Sequence, residues 1–435
     1  MGFTEHYDVV VIGRGRAGLV CATLLARRRL RVRLMFPVGK RPSTLPPCIF
    51  GHTRSAIVRR TLDELGLIHG LKTQLETLQP LTLSLGTRRG TLPVDTADRR
   101  AQLAAWWPED TSAVHAILDR IEGYGQGLDP LLTGDVELPP ESFNARRAWR
   151  KALGQQATGQ LLDQPPQWTE HPELQRLLTT LLIVAGRPQD TGDGPITAGG
   201  ARALWHLGHG IAQVAPAPET APWARDGFDA LLARKLESSG GAFNPEKRVS
   251  GLLVDKAGRR AEGVVTTEGA QYSADTVIFT DDDTTLSTLW RGAPLFAPSW
   301  IEAVHTGRRE IDSAHPAGPL MAWSASDDSP LYLVHQRQDH LEIAGPPEAT
   351  LDAAAIDPAI ALDQEPPIYR PVAPRMGEAI DPLNLFAAPM RTGLRNLLRA
   401  GGWLLPGLGF EGVCLSAWQA AAWTERLSPR RRRLG

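Results

Sequence analysis

The chain has 435 residues, of which 42% are hydrophobic, and its formal net charge is −1. This length provides room for two or three domains, or for one large domain with an insertion, and the balanced charge argues against a nucleic-acid-binding protein. No apolar run approaches the roughly 18 residues that a membrane-spanning helix needs.

A predicted strand–helix–strand unit lies at the start of the chain. The apolar strand Tyr7–Ile12 is followed by a segment with helical periodicity, Leu19–Arg29, and by a second predicted strand, Leu30–Phe36. Glycines at G-x-G-x-x-G spacing connect the first strand to the helix: Gly13, Gly15 and Gly18. In such a unit the first glycine permits a tight turn, the second lets the backbone approach a pyrophosphate, and the third allows close helix–strand packing. The unit therefore predicts a dinucleotide site.

The end of the second predicted strand departs from the usual dinucleotide-binding pattern. A carboxylate that holds the ribose hydroxyls is expected roughly 20 residues after the glycines, but Met35 and Phe36 occupy this place. Two arginines, Arg14 and Arg16, lie inside the glycine turn. They either neutralise a pyrophosphate in place of lost contacts or face solvent. The pattern still predicts the same fold without this carboxylate, but a dinucleotide is expected to bind with lower affinity.

The middle of the chain is predicted to be a mainly helical insertion. Residues 1–100 form the first segment of the nucleotide-binding domain and include a hairpin-like alternation over 81–92. Helical periodicity dominates 101–219, which we assign to a substrate or cap domain. Its apolar segments 177–185 and 204–214 are candidates for lining a substrate pocket, although they suit a protein core equally well.

The alternation of helix and strand returns after the insertion. Residues 220–285 form the second nucleotide-binding segment, and the strand predicted at its end, Thr276–Thr280, should lie in the same sheet as Val9–Ile12. Residues 286–394 supply strands and loops of the substrate domain, and residues 395–435 supply a closing strand and helix with a basic tail. The predicted fold class is α/β, with a Rossmann-type domain and a discontinuous, mixed α+β substrate or cap domain.

Three blocks of the sequence resemble the two-domain FAD-dependent oxidoreductases that include amine oxidases, phytoene desaturases and carotenoid isomerases. The blocks are the glycine unit Gly13–Gly18, the segment from Gly227 to Ile278, and the segment from Asn396 to Ser416, which reads N-L-L-R-A-G-G-W and then G-F-E-G-V-C-L-S. Together they span most of the chain. The resemblance implies a Rossmann-type FAD/NAD(P)-binding domain and FAD as the cofactor.

The glycine unit and the resemblance together supply the candidate cofactor-binding residues. These are Gly13, Arg14, Gly15, Arg16, Ala17, Gly18, Phe36, Arg41, Val249, Gly402, Gly412 and Val413. The resemblance implies a backbone contact to the adenine at Val249, and a helix start at Gly412 and Val413 whose N–H groups face the isoalloxazine ring. Arg41 is the candidate for a phosphate-contacting arginine, because the glycine-rich G-G-R segment of the family is missing after the second strand.

The closing strand has two alternative positions. The family carries an aspartate near the ribityl and phosphate groups at the end of this strand. If the strand is Leu397–Gly401, Gly402 stands at that position; if it is Trp403–Gly407, the position is Leu408. The spacing to the following helix favours the first alternative, and the continuous apolar run favours the second.

Other polar residues are interpreted as structural. His206 and His209 have no carboxylate near them in sequence, so we predict no metal site. The run Asp281–Asp283 follows a predicted strand and is interpreted as a helix cap at Asp283. No constellation of catalytic side chains can be assembled, and the catalytic residues stay unknown. Flavin chemistry often requires none, because the ring itself accepts the hydride.

Two functions from different classes follow. The first is an FAD-dependent oxidoreductase that accepts a hydride from an apolar or amine-bearing small molecule. The alternative is a flavoprotein-like subunit that has lost its cofactor and acts as a binding or scaffolding partner, with tryptophans such as Trp106, Trp107, Trp418 and Trp423 at its interface.

The expected location is cytoplasmic. The first strand leaves no room for a secretory signal, and Cys21, Cys48 and Cys414 lack a C-x-x-C pattern and fit reduced structural thiols. The basic run Arg430–Arg433 is interpreted as solvated, with a membrane surface or a protein partner as the alternative.

Overall fold

The computed structural model describes residues 3, 5–39, 48–52, 54–85, 88–134, 137–155, 172–185, 196–291, 298–309, 320–324, 330–337, 340–346, 349–356, 360–364, 367–374 and 385–427. The helices in chain order are α1 (Arg16–Arg27), α2 (Ala56–Leu65), α3 (Ile68–Lys72), α4 (Thr96–Trp106), α5 (Thr111–Gly127), α6 (Asp129–Leu132), α7 (Phe143–Gln155), α8 (Pro172–Val184), α9 (Ala198–Gly208), α10 (Gly227–Ser238), α11 (Asp283–Leu289), α12 (Ala353–Ile356) and α13 (Gly409–Leu427). The strands are β1 (Glu5–Ile12), β2 (Val32–Pro37), β3 (Cys48–Phe50), β4 (Leu81–Leu85), β5 (Arg88–Leu92), β6 (Ile211–Gln213), β7 (Ala242–Val254), β8 (Ala261–Thr266), β9 (Gln271–Phe279), β10 (Pro298–Arg309), β11 (Leu320–Ser324), β12 (Tyr332–Arg337), β13 (His340–Gly345), β14 (Ile360–Leu362), β15 (Ile368–Pro374) and β16 (Leu397–Arg399).

A parallel sheet carries the glycine-rich turn. Its strands lie in the order β7–β2–β1–β9–β16, and all of these neighbours run parallel. The central strand β1 is apolar on both faces because helices and strands cover both sides of the sheet; Val9, Val10 and Val11 are fully buried. Val9 pairs with Thr276 of β9, so the strand predicted over 276–280 does lie in the same sheet as β1.

An antiparallel meander extends this sheet. The long strand β7 pairs with β8, and β8 pairs with the first residues of β9. Gly263 of β8 has a φ of +154°, and a Cβ at this position would collide with the carbonyl oxygen of Tyr272. A glycine is therefore required at this position, where β8 pairs with β9.

A second sheet lies in the other part of the chain. Its strands follow the order β14–β10–β13–β12–β11–β4–β5, and β15 also pairs with β10. The hairpin β4–β5 belongs here because β4 pairs in parallel with β11, with Met321 opposite Thr82. This corrects the assignment of residues 81–92 to the nucleotide-binding segment 1–100. The hairpin itself is as predicted, with Leu81 opposite Leu92.

Helices connect the two sheets. Helix α1 packs against α10 and α13 beside the parallel sheet, while α9 packs against α5 and α8. Helices α4, α5, α7, α8 and α9 occupy the stretch that the sequence predicts to be mainly helical. Their apolar faces join one large hydrophobic cluster with α1 and α13. The helices beside the parallel sheet and the helices of the insertion therefore share one continuous hydrophobic core.

Candidate functional site

The three glycines of the turn have three different surroundings. A Cβ at Gly13 would collide with the Thr280 hydroxyl oxygen, and a Cβ at Gly18 would lie 3.0 Å from both that oxygen and the Gly13 carbonyl. These two glycines let β1, α1 and β9 approach closely. A Cβ at Gly15 would meet nothing within 4 Å. The backbone of Gly15 is therefore open to a ligand, as the motif requires.

The first turn of α1 presents free backbone donors beside Gly15. The N-cap Gly15 makes no side-chain cap. Within the described ranges, the N–H groups of Gly15, Arg16 and Ala17 have no hydrogen-bond partner. Free N–H groups and the helix dipole at this end of a helix favour an anion. The residues present here fit the diphosphate of a dinucleotide.

Arg14 lies at the rim of this cradle. Its N–H donates to Asp281 Oδ1 at 3.1 Å, and its Nε lies 3.5 Å from Asp281 Oδ2. The guanidinium also lies close to Gly39, just past the end of β2. Burial raises the pKa of the Asp281 carboxyl above its usual range. The charge of Arg14 is thus paired within the protein, and its contact with a phosphate stays a prediction.

The side chain of Arg16 departs from both alternatives of the prediction, because it is paired inside the protein and only 10% of it is exposed. Its Nη2 donates to Asp226, and its Nε donates to Asp229 Oδ1 at 3.1 Å. The guanidinium lies 5.5 Å from the ring centre of Phe228 and 5.6 Å from that of Phe410. The buried ion pair ties α1 to the start of α10. Only the backbone N–H of Arg16 faces the cradle.

Phe36 is also placed differently from the prediction. Its ring packs edge-on against Phe243 at 5.4 Å, lies 6.1 Å from Trp223, and is covered by the Arg248 guanidinium. Phe36 and its neighbour Met35 are both buried, so neither replaces the missing ribose-binding carboxylate. Phe36 stabilises the packing of β2 against β7.

The candidate adenine contact, Val249, is fully buried. Its carbonyl accepts a hydrogen bond from the Val38 N–H at 3.0 Å, so this backbone group already has a protein partner. The contact stays a prediction. Arg41 lies outside the described residues.

The closing strand takes the first of its two alternative positions. Leu397 of β16 pairs with Val277 of β9, so Gly402 stands where the family has its aspartate. The apolar run after Gly402 instead turns through a short 3₁₀ helix and buries its leucines, including Leu404 and Leu408. The position is therefore settled as Gly402, without an acidic side chain.

Gly402 lies beside the cradle of α1. A Cβ at the preceding residue, Gly401, would be 3.3 Å from the Cβ of Ala17, and a Cβ at Gly402 would be 3.9 Å from Val413 Cγ2. Gly401 donates its N–H to the Ser416 hydroxyl at 2.8 Å, which ties the strand end to α13. The fold thus places Gly401 beside Ala17 and Gly402 beside Val413.

The start of α13 differs from the predicted start. The helix begins at Gly409, and the Gly412 N–H donates to the Leu408 carbonyl at 3.2 Å. A Cβ at Gly412 would lie 3.0 Å from the Leu405 carbonyl oxygen, so this residue packs tightly. Since Gly412 lies one turn inside the helix, its N–H does not point out of the helix end. This corrects the predicted helix start over Gly412 and Val413.

A buried polar network surrounds Glu411, which sequence analysis missed. Arg202 Nη2 donates to Glu411 Oε1 at 2.6 Å and Arg202 Nε to Oε2 at 3.0 Å; Ser55 Oγ donates to Oε1 at 2.6 Å. His206 Nε2 lies 2.8 Å from Oε2. The Arg202 guanidinium and His206 hold the pKa of the Glu411 carboxyl well below its usual range. Glu411 and Arg202 thus form a buried ion pair where α9, the start of α2 and α13 meet.

The interpretation of His206 and His209 as structural agrees with these contacts. Burial lowers the pKa of His206, and it lowers the pKa of His209 to about 4. In the described part of the chain no group of His, Cys, Asp and Glu could hold a metal ion. The cap predicted at Asp283 is made by Asp282 instead, which accepts from Thr285.

A cavity of about 50 Å³ lies within the helical region. Its walls come from α4, α5, α8, α9 and the strands β4 and β5, and they are mostly leucine and isoleucine. Typical wall residues are Leu103, Ile117, Ile121, Leu177, Leu181 and Leu204. Residues from both segments that the sequence offered as pocket lining are present. The polar residues in the wall are Thr96, Arg99, Arg100 and Glu122.

None of the four tryptophans named for the predicted interface is classed as exposed in the described part of the chain. Trp107 is buried, and Trp106 lies against Gly90. The Trp418 ring is covered by Arg28 and Arg60, and Trp423 by Arg391 and Arg426, which are cation–π contacts within the chain. No described helix is long and apolar enough to cross a membrane. Residues 430–433 lie outside the described ranges.

The fold is shared with solved structures. An oxidoreductase from Methanosarcina mazei matches with a TM-score of 0.55 at 12% identity, covering 96% of this chain and 100% of the other. p-Nitrophenol 4-monooxygenase PnpA from Pseudomonas putida DLL-E4 matches with a TM-score of 0.50 at 13% identity, covering 98% and 81%. The flavin-dependent brominase Bmp2 gives 0.48 at 10% identity, covering 97% and 79%. No family model and no curated protein matches the sequence.

Proposed function

We propose that the protein is an FAD-dependent oxidoreductase that acts on an apolar small molecule. The observation that carries the proposal is the cradle at the start of α1, where Gly15 is open and three N–H groups lack partners. The fold is that of an oxidoreductase and a monooxygenase, which supports the same class of chemistry. FAD, when bound, would accept a hydride from the substrate.

The residues of this chain would bind FAD mainly through the backbone. The N–H groups of Gly15, Arg16 and Ala17 would hold the diphosphate, and Gly402 and Val413 would lie beside it. Charge-assisted hydrogen bonds contribute about 1.5–3 kcal/mol each. Phe36 and Gly402 stand where the resembling family has carboxylates. Because these two contacts are missing, we expect FAD to bind more weakly than it would if both were present.

We place the substrate against the apolar walls of the cavity, which at about 50 Å³ would have to widen to admit it. Helix α9 separates the cavity from the start of α13, with Leu204 on the cavity wall and Arg202 in the Glu411 network. Apolar walls exclude water and hold a substrate in one orientation, which is what hydride transfer requires of the protein.

A titration tests the proposal. The purified protein is mixed with FAD, and the quenching of flavin fluorescence gives a Kd; candidate substrates are then added without oxygen and bleaching of the flavin absorbance is recorded. Micromolar or tighter binding with bleaching is the expected result. A colourless protein that does not bind FAD at millimolar concentration would refute the proposal.

A cofactor-free binding protein is the second candidate, and particular contacts favour it. The Asp281 carboxylate, a negative charge, lies at the rim of the proposed diphosphate cradle. The Arg16 guanidinium forms ion pairs with Asp226 and Asp229 and does not face the cradle. The Gly412 N–H is used inside α13. Failure of FAD to bind, together with a second protein that co-purifies in fixed ratio, would support this candidate.

A further inference from the structure

Helix α7 packs on the protein through one narrow face. Trp149 is fully buried, Ala145 is 7% exposed, and Ala152 packs against the large hydrophobic cluster. These residues are spaced four and three apart, so they form one stripe along the helix. The start of the helix is fixed by Ser142, whose hydroxyl accepts a hydrogen bond from the Ala145 N–H at 3.1 Å. The contact of this stripe with the core determines which residues of α7 face outward.

The outward face of α7 combines one aromatic ring with positive charge. The exposed fraction of Phe143 is 80%. Arg146, Arg147 and Arg150 follow it at spacings of three, four and seven residues, and Lys151 lies four residues after Arg147. All four cations are exposed. Residues at these spacings lie on the same side of a helix, so four positive charges flank the exposed ring.

No carboxylate of the described residues compensates the charge of this face. The 13 residues of α7 include no Asp or Glu, whereas the whole chain has 48 acidic residues for 47 basic ones. The two carboxylates just before the helix, Glu137 and Glu141, are paired with Arg426 and Arg391. Within the described ranges the four cations of α7 form no ion pair within 4 Å. The face is thus a local excess of positive charge on a nearly neutral chain.

We propose that this face of α7 binds an anionic membrane surface, with Phe143 inserted below the lipid headgroups and the four cations paired with them. Charge alone would suit any polyanion. A large apolar side chain in water is unfavourable, however, and here it lies in the middle of the charge. A ring flanked by cations matches a surface that has an apolar layer directly beneath its negative charges.

Vesicle sedimentation tests the proposal on the full-length protein. One set of vesicles is phosphatidylcholine alone, and in the other about one third of the lipid is phosphatidylserine. No FAD is added, so the result does not depend on the cofactor cradle. Since each cation near an anionic surface contributes about fivefold to binding, the protein should bind the serine vesicles at least roughly tenfold more tightly, and less so at high salt. Equal binding to both sets would overturn the proposal.

Two double variants with the same loss of charge assign the binding to α7. Arg147→Gln with Arg150→Gln should weaken binding to serine vesicles by roughly 25-fold. The control, Lys256→Gln with Arg259→Gln, changes exposed residues in the turn between β7 and β8 and should bind like the unchanged protein. Equal weakening in the two double variants would show that only net charge matters and would refute the site on α7.

Phe143→Ser separates insertion from charge attraction. Because the ring is 80% exposed, its removal should leave the Tm unchanged. It should weaken binding to serine vesicles by about threefold to tenfold, since the apolar contact with the bilayer is lost. Soluble polyglutamate serves as a polyanion without an apolar layer and should bind much more weakly than the vesicles. If polyglutamate binds as tightly as the vesicles and Phe143→Ser has no effect, the face binds an acidic protein and the membrane proposal is wrong.

Discussion

The substitution Gly15→Glu separates cofactor binding from folding. Gly15 has φ −96° and ψ 177°, which any residue adopts, and its Cβ direction is open. A glutamate should therefore be tolerated by the fold while placing a negative charge against the diphosphate. Loss of two of the three N–H contacts at about 1.5–3 kcal/mol each amounts to about 3–6 kcal/mol, or roughly 10²- to 10⁴-fold in Kd.

The assay combines two measurements on the same samples. FAD titration gives the Kd, and thermal unfolding without FAD gives the Tm. Gly15→Glu should lose FAD with little change in Tm. The matched variant Gly18→Ala should lower Tm, because its Cβ would lie 3.0 Å from the Gly13 carbonyl and the Thr280 hydroxyl. If Gly15→Glu binds FAD as tightly as the unchanged protein, the cradle is not the diphosphate site.

Three further predictions concern other parts of the molecule. Glu411→Gln should lower the free energy of unfolding by about 1–3 kcal/mol in urea denaturation, because Arg202 loses its buried carboxylate partner and keeps only Asp129; an unchanged free energy of unfolding would contradict this. Burial lowers the pKa of His209 from 6.5 to about 4, so the native state prefers the neutral ring. The free energy of unfolding should therefore be highest above pH 6.5 and fall by up to about 3 kcal/mol as the pH drops towards 4. In urea titrations at each pH, His209→Gln should make this decline smaller. Gly402→Asp introduces the acid that the resembling flavoproteins carry at this position, where a Cβ meets only Val413 at 3.9 Å, and should tighten FAD binding by about tenfold; an unchanged Kd would show that Gly402 lies away from the cofactor.

The glycine cradle was predictable because its causes are local. The apolar run of β1 and the spacing of the three glycines are set by residues within one short segment, and the structure places that segment as predicted. The two positions of the closing strand were not separable from sequence, since both segments are apolar. Pairing of Leu397 with Val277 decides it, and this depends on a strand about 120 residues earlier in the chain.

Side-chain partners far apart in sequence were beyond prediction. Arg16 lies in the motif, but its direction is set by Asp226, which is 210 residues away. Glu411 could be noticed only as part of the family resemblance, and its partner Arg202 is 209 residues away. One local signal existed, because Arg202 and His206 stand four residues apart and so share one face of α9.

Helix α9 has two faces with different surroundings. One face holds Leu204 and Leu207 in the cavity wall, and another holds Arg202 and His206 against Glu411 at the start of α13. A ligand that shifts α9 to improve its own contacts must also move the Glu411 network. By thermodynamic linkage, any group bound beside α13 then changes the affinity of the cavity by the same factor in return. Helix α9, which has eleven residues, would then couple the two proposed sites.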